Sequence, residues 1–262
     1  ETAFLSPKDT YADGGWDAVK RDAEEKADLL LSLGINVNLA PVCDMTSDEY
    51  GFMYDRSFSV DVDMENRYVR TVVETSKSKK LGTVLKHFPG YGNNSDTHTG
   101  IAYDDRDYSE FENTDFKPFY QGIESGADCI LVSHNIVNCM DSEYPASLSQ
   151  KVHDILRNEF KFDGVIMTDD LIMDAITDFT GDEAAAVTAA KCGNDLLCCS
   201  SVDTQYPAVL EAVQNGEISE AQVDASVKRI LKWKQNLGIF NIDTYQKKVK
   251  STEPTDTVGS EE

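Results

Sequence analysis

Apolar residues in this chain gather into five short runs, at 35–40, 83–86, 128–133, 164–168 and 195–199. The starts of these runs lie roughly 30 to 50 residues apart, which suits strands that alternate with helices. Helical periodicity occupies the intervals. Over 18–33 the positions Val19, Ala23, Ala27, Leu30 and Leu31 carry the apolar pattern, and Gly34 supplies a C-terminal stop. A second helix is predicted over 64–81, ending before Gly82. Ser149 is placed to cap a helix bearing Val152, Ile155, Leu156 and Phe160, and Ser219 with Gln222 makes a capping box for 220–237. The strand runs are continuous rather than alternating, so a parallel sheet buried on both faces is expected. From 241 to 262 the chain turns to Lys, Thr, Ser, Glu and Pro without periodicity, which reads as a helix remnant and a disordered tail.

Repeated βα units allow an open doubly wound sheet or a barrel, and the residues that follow each run help to choose. The first run leads to Asp44, the second to Lys86 and His87, the third to Ser133, His134 and Asn135. The fourth ends in Thr168, Asp169 and Asp170, the fifth in Ser200 and Ser201. In a barrel every strand's C-terminal end faces one mouth, whereas in an open sheet only the strands at the switch point share a crevice. Five functionalised ends favour the barrel.

Composition narrows the partners. The 262 residues, 40% of them hydrophobic, can bury one substantial core. With 24 Lys and Arg against 47 Asp and Glu, the net charge of −23 argues against nucleic acid or an anionic membrane as partner. No apolar run approaches the ~20 residues of a membrane span. No signal peptide is seen, but the chain starts inside what reads as a loop, so a removed leader stays open. So does the choice between a cytoplasmic and a secreted or cell-surface bacterial location. Of the six cysteines, Cys43, Cys129, Cys198 and Cys199 lie in or beside strand-like runs, which suits buried free thiols and a reduced or anaerobic setting.

The chemistry concentrates in 86–100, KHFPGYGNNSDTHTG, a glycine-punctuated loop without Ile, Leu or Val that follows the apolar LGTVL. A surface turn with incidental histidines is the plain alternative, but His87, His98 and His134 all lie at comparable strand ends. In this loop Asp96 stands two residues from His98. A carboxylate in hydrogen-bond reach fixes an imidazole's tautomer and favours its charged form, which makes a competent proton donor and acceptor. Metal ligands share that spacing, although no further His or Cys stands at ligand distance in the sequence. In MTDDL (167–171), neighbouring side chains on an extended backbone point opposite ways. One of Asp169 and Asp170 can therefore enter the mouth while the other braces the loop or caps a helix. A carboxylate so placed can attack a sugar's anomeric carbon. Arg56, in YDRSF, can hold oxygens in a fixed fork or pair with Asp55 or Asp61. His153, inside a predicted helix, is expected at the surface.

Together these segments resemble the β-N-acetylhexosaminidase branch of glycoside hydrolase family 3. The resemblance is carried by NLAPVCD (38–44), YDRSF (54–58), KHFPGYG (86–92), DTH (96–98), LVSHN (131–135) and GVIMTDDL (164–171), and covers about 16–240. It implies an α/β, TIM-like (β/α)8 barrel and a retaining, two-step, exo-acting release of terminal N-acetylglucosamine from peptidoglycan fragments or related saccharides. Asp169 would be the nucleophile, His98 the general acid/base and Asp96 its partner. Arg56, Lys86 and His87 would hold the sugar's hydroxyls or acetamido group, with Asp44, His134 and Asn135 as further candidates. The resemblance implies no metal or organic cofactor. Two departures stand out. Tyr91 replaces a second histidine of the family loop, and the first three barrel strands have no counterpart, since ADGGWD (12–17) does not match the expected D-x-E-G-G-type segment. The chain is therefore expected to hold the last five βα units, with 1–240 the C-terminal portion of one barrel domain. The first three strands would lie on a second chain or outside this sequence. A phosphorylase, a non-catalytic saccharide-binding remnant and a metal-dependent hydrolase are the rival readings.

Overall fold

A computed structural model of the chain describes residues 4–245. Helix α1 spans Pro7–Ser32, further toward the N-terminus than the predicted 18–33. The Ser6 side chain accepts the Asp9 N–H and Pro7 fills the first helical position, so a new start is available upstream. Gly14 and Gly15 leave helical geometry and bend α1 where the predicted helix begins. There follow β1 (Val37–Asn38), α2 (Val62–Ser78), β2 (Gly82–Phe88), β3 (Tyr103–Asp104), α3 (Tyr108–Asn113) and α4 (Phe116–Glu124). Next come β4 (Cys129–Val132), β5 (Ile136–Val137) and α5 (Gln150–Asp154), which runs on into a π-helical turn at Ile155–Glu159. The chain continues with β6 (Val165–Thr168), α6 (Asp174–Thr177), α7 (Asp182–Lys191), α8 (Val202–Gln214) and α9 (Glu220–Asn236).

The main sheet is parallel, in the order β1-β2-β4-β6, and a parallel bridge from Met167 to Leu196 adds the fifth predicted run at its edge. Each run lies beside its predecessor in the chain. A doubly wound sheet requires a reversal of strand order, and the described strands contain none. The pairing is shorter than the apolar runs: only Val37 and Asn38 of the first are laddered, with Val42 bridging Lys86 further on. A second, two-stranded parallel sheet, β3 with β5, is not foreshadowed by the apolar pattern, because each strand is only two residues long.

Both faces of the main sheet are buried. On one, Leu85, Phe88, Ile130, Val132 and Ile166 pack with Val69 and Val73 of α2, Phe116 and Phe119 of α4 and Leu156 after α5. On the other, Val84, Cys129, Leu131, Val165 and Met167 meet Ile230, Trp233 and Leu237 of and just after α9. This second face is covered because α9 folds back over it, and a Cβ at Gly82 would lie 3.1 Å from Trp233. Exposed apolar side chains occur instead beside the free edge of β1, at Leu33, Ile35 and Leu39. Cys43 and Cys129 are buried free thiols, pushed well up by burial, whereas Cys198 and Cys199 are half-buried. His153 is buried as well, contrary to expectation, because its Nδ1–H turns back to the Ser149 carbonyl at 2.7 Å and so satisfies the ring inside the protein. Of the predicted tail, 246–262 lies outside the described residues, and 242–245 is helical.

Glu65, in the first turn of α2, is fully buried. One carboxyl oxygen accepts the Ser59 N–H at 2.9 Å, and the other has no partner among the described residues. Burial pushes its proton affinity well above that of an ordinary glutamate, and the nearby Asp44 adds to the rise. A raised folded-state value means stability that is present at acid pH and lost as pH rises. Glu65→Gln, which keeps the Ser59 acceptor without the charge, is expected to leave Tm unchanged near pH 4. At pH 7–8 it should raise Tm by at least about 2–4 °C, the shift that 1 kcal/mol produces in a domain of this size. Thermal melts of both proteins across that range check it.

Candidate active site

All strands of a parallel sheet present their C-terminal ends at the same edge, so the polar residues after β1, β2, β4 and β6 gather there. Asp44 is the buried pivot. Its Oδ2 accepts the His87 backbone N–H at 3.0 Å and the His87 ring Nδ1–H at 2.7 Å, and its Oδ1 accepts the Tyr91 N–H at 2.8 Å. The other ring nitrogen of His87, Nε2, lies 3.2 Å from an Arg56 guanidinium nitrogen. A guanidinium only donates, so Nε2 accepts and the proton of His87 sits on Nδ1. Both nitrogens of the buried ring are thus engaged, and His87 braces Arg56 against Asp44.

Arg56, Lys86 and Asp169 are half-buried and reach the surface. Burial lowers the proton affinity of Lys86 and the Arg56 charge lowers it further, while Asp169 and Asp44 oppose the change. One ammonium thus lies in the fields of a guanidinium and two carboxylates. Asp169 has its N–H on the Val132 carbonyl at 3.1 Å, and its Oδ1 accepts the Asp170 N–H at 2.9 Å. Asp170 braces the turn just past the end of β6. Its Oδ1 accepts the Ser200 N–H at 3.2 Å and its Oδ2 the Ser200 hydroxyl.

Asp96 and His98 form their pair on an exposed 3-10 turn, Thr97–Thr99. Asp96 Oδ1 accepts the His98 N–H at 3.0 Å and faces Nδ1 at 2.6 Å, which leaves Nε2 on the outer side of a ring that is 58% exposed. Burial opposes ionisation of Asp96, but the bonds from His98 and its charge outweigh it and hold the carboxyl below its usual range. His134 and Asn135 lie beneath the surface rather than at it, both wholly buried. Asn135 pairs with the Ser133 hydroxyl, and His134 Nε2 meets the Asp170 carbonyl at 3.0 Å. These two expected contact residues therefore support the floor of the site.

Residues 7–233 match the glycosyl hydrolase family 3 N-terminal domain. The chain belongs to that family. A β-hexosaminidase of Hydrogenovibrio crunogenus is 33% identical over 199 residues, which is 74% of this chain and 55% of the relative. A β-hexosaminidase of Nitrosomonas eutropha is 33% identical over 178 residues, 67% of this chain and 51% of the relative. Among solved structures, a family 3 β-N-acetylglucosaminidase from a Paenibacillus strain superposes with a TM-score of 0.85 at 29% identity, covering 89% of this chain and 46% of that one. The chain spans about half the length of the curated relatives it matches.

Two side-chain arrangements that hold the loop of this family 3 domain take their partners from the fold. Tyr91, where the family loop has histidine, is buried and its hydroxyl meets Thr97 Oγ1 at 2.6 Å, so it ties down the residue before His98. Beyond the loop, Arg106 donates to Asp104, to Asp115 at 2.9 Å and to the Gly90 carbonyl at 3.3 Å, and clamps the glycine segment from outside. Gly90 has φ +123°, and a Cβ there would sit 2.2 Å from Asp115 Oδ1, so the clamp demands glycine. The charge cluster YDDRD (103–107) was the available signal, but its target is nine or more residues away in sequence and only the fold brings them together.

Proposed function

We propose that this chain carries the catalytic half of an exo-acting, retaining β-N-acetylglucosaminidase that acts on terminal N-acetylglucosamine of peptidoglycan fragments or related saccharides. The observation that carries the reading is Asp169, a half-buried carboxylate within the field of Lys86, with Tyr91 lying in the fields of both Asp169 and Asp96 of the loop that bears His98. Asp169 attacks the anomeric carbon with the oxygen not engaged by Asp170, and a glycosyl ester forms as the bond to the leaving oxygen breaks. His98 Nε2 gives its proton to that oxygen. Water then attacks the same carbon, its proton passes to Nε2, and the ester opens to free Asp169. An imidazole in this role adds no negative charge beside the nucleophile when it is neutral. Arg56 and Lys86 hold the sugar's oxygens, with His87 and Asp44 behind Arg56.

The same reading takes the five parallel runs as part of a (β/α)8 barrel within residues 1–240. Strand order equal to chain order, the free edge of β1 and the partial coverage of the relatives support it. Three further βα units, upstream or on a companion chain, would close the barrel and complete the sugar-binding wall. The test is incubation of the purified protein, supplied together with the upstream units, with a chromogenic N-acetylglucosaminide, with and without phosphate. Release of N-acetylglucosamine independent of phosphate is expected. A sugar 1-phosphate formed only with phosphate would instead make the enzyme a phosphorylase. Binding of the sugar without turnover, when the upstream units are also supplied, would overturn the catalytic reading.

A further inference from the structure

The Asp169–Asp170 turn is held by more than its own backbone. Asp170 is fixed at two groups: its carboxylate by Ser200 and its carbonyl, on the inner side, by the buried His134 Nε2 at 3.0 Å. With those pinned, its N–H stays on Asp169 Oδ1 at 2.9 Å, which sets the direction of the Asp169 side chain. A carbonyl oxygen only accepts, so His134 must present Nε2–H, and its Nδ1 is left as a buried lone pair. The Ser147 hydroxyl lies 2.7 Å from that nitrogen. Ser147 is itself wholly buried, with its N–H on the Ser133 carbonyl at 2.9 Å and its carbonyl accepting from the Asn194 amide at 2.8 Å. Burial disfavours a charged His134, which agrees with a neutral ring of one tautomer.

We propose that Ser147 and His134 form a positioning relay in which the serine hydroxyl selects the Nε2–H tautomer of the histidine, so that the ring anchors the Asp170 carbonyl and thereby aims Asp169. Neither residue touches the sugar; both act through the turn. Without the Ser147 hydroxyl, the Nε2–H ring keeps an unsatisfied buried lone pair. The Nδ1–H ring would aim a second lone pair at the Asp170 carbonyl. Either outcome loosens the turn. The relay rests on the assignment of Asp169 as nucleophile, but its tautomer does not.

Long-range 15N–1H NMR on the protein reads the tautomer, with the His134 signals assigned by difference from His134→Gln among the chain's 4 histidines. The expected result is an Nε2–H ring in the wild type that gives way to a tautomer mixture in Ser147→Ala. The same variant should lose kcat by about tenfold, the order expected of a slightly misplaced reacting group, with KM within about twofold. Ser147→Thr, which keeps the hydroxyl, should restore both. A wild-type ring protonated at Nδ1 would overturn the relay, as would a well-folded Ser147→Ala with wild-type kcat. If Ser147→Ala fails to fold, the wild-type tautomer alone still decides. Absence of any glycosidase activity would sink the functional reading, and the NMR result would still uphold or reject the anchoring of Asp170.

Discussion

Replacing Asp169 by alanine is expected to abolish turnover of N-acetylglucosaminides, with kcat falling on the order of 10^5-fold, as when a covalent nucleophile is removed. The size follows from the chemistry. Among the described residues no other carboxylate is held at the end of β6 with a free oxygen, since both oxygens of Asp170 are occupied by Ser200 and the turn. The fold should survive, because the Asp169 side chain makes only the bond from the Asp170 N–H. Steady-state kinetics and a thermal melt of the variant check both halves. Undiminished turnover would remove Asp169 from its role, and a collapsed melting temperature would mean that the lost activity reports on structure instead.

The second large effect belongs to His98, and its size should depend on the leaving group. On the proposed mechanism His98→Ala removes the proton donor, and a positioned acid typically contributes about 10^2–10^4-fold. A nitrophenolate leaves without a proton, so formation of the glycosyl ester from such a substrate should be nearly unaffected, with slowing confined to the attack of water. A disaccharide leaves as an alkoxide and should bear the full loss in the first step. The ring is exposed and its loop is pinned at Tyr91–Thr97, so the substitution leaves the core intact. Because Asp96 stays ionised below the ordinary carboxylate range, its contact with His98 persists on mild acidification. Rates for a series of leaving groups of graded basicity provide the measurement; equal losses across the series would contradict the assignment.

The strands and the polar residues at their C-terminal ends were legible because both depend on short-range sequence: an unbroken apolar run buries on two faces, and polar residues mark where the run gives out, within β2 at Lys86 and His87 and beyond the strand elsewhere. Asp44, Lys86, His87 and Asp169 were found this way. The division of labour among them was not. That His87 faces Asp44 and Arg56 with both nitrogens, or that His134 lies under the surface, depends on contacts over 30 or more positions, as in the Arg56–His87 and His134–Asp170 pairs. Ser147 carries no distinctive signal at all, since serine is common in turns and its hydroxyl acquires meaning only beside a buried imidazole. The same holds for α9: its capping box was legible in Ser219 and Gln222, but its place across the second face of the sheet was not.

That sheet has a consequence for how the protein is made. Its spatial order repeats the order of synthesis, so each strand emerging from the ribosome meets an edge left by the main-sheet strand made before it. Ordering then proceeds vectorially, with modest loop-closure entropy at each addition. Helix α9 works the other way: Trp233 returns to Val37 and Gly82, among the earliest-made parts of the sheet. The Val84, Cys129, Leu131, Val165 and Met167 face therefore stays uncovered until α9 has been made, and in that interval it is open to non-native contacts.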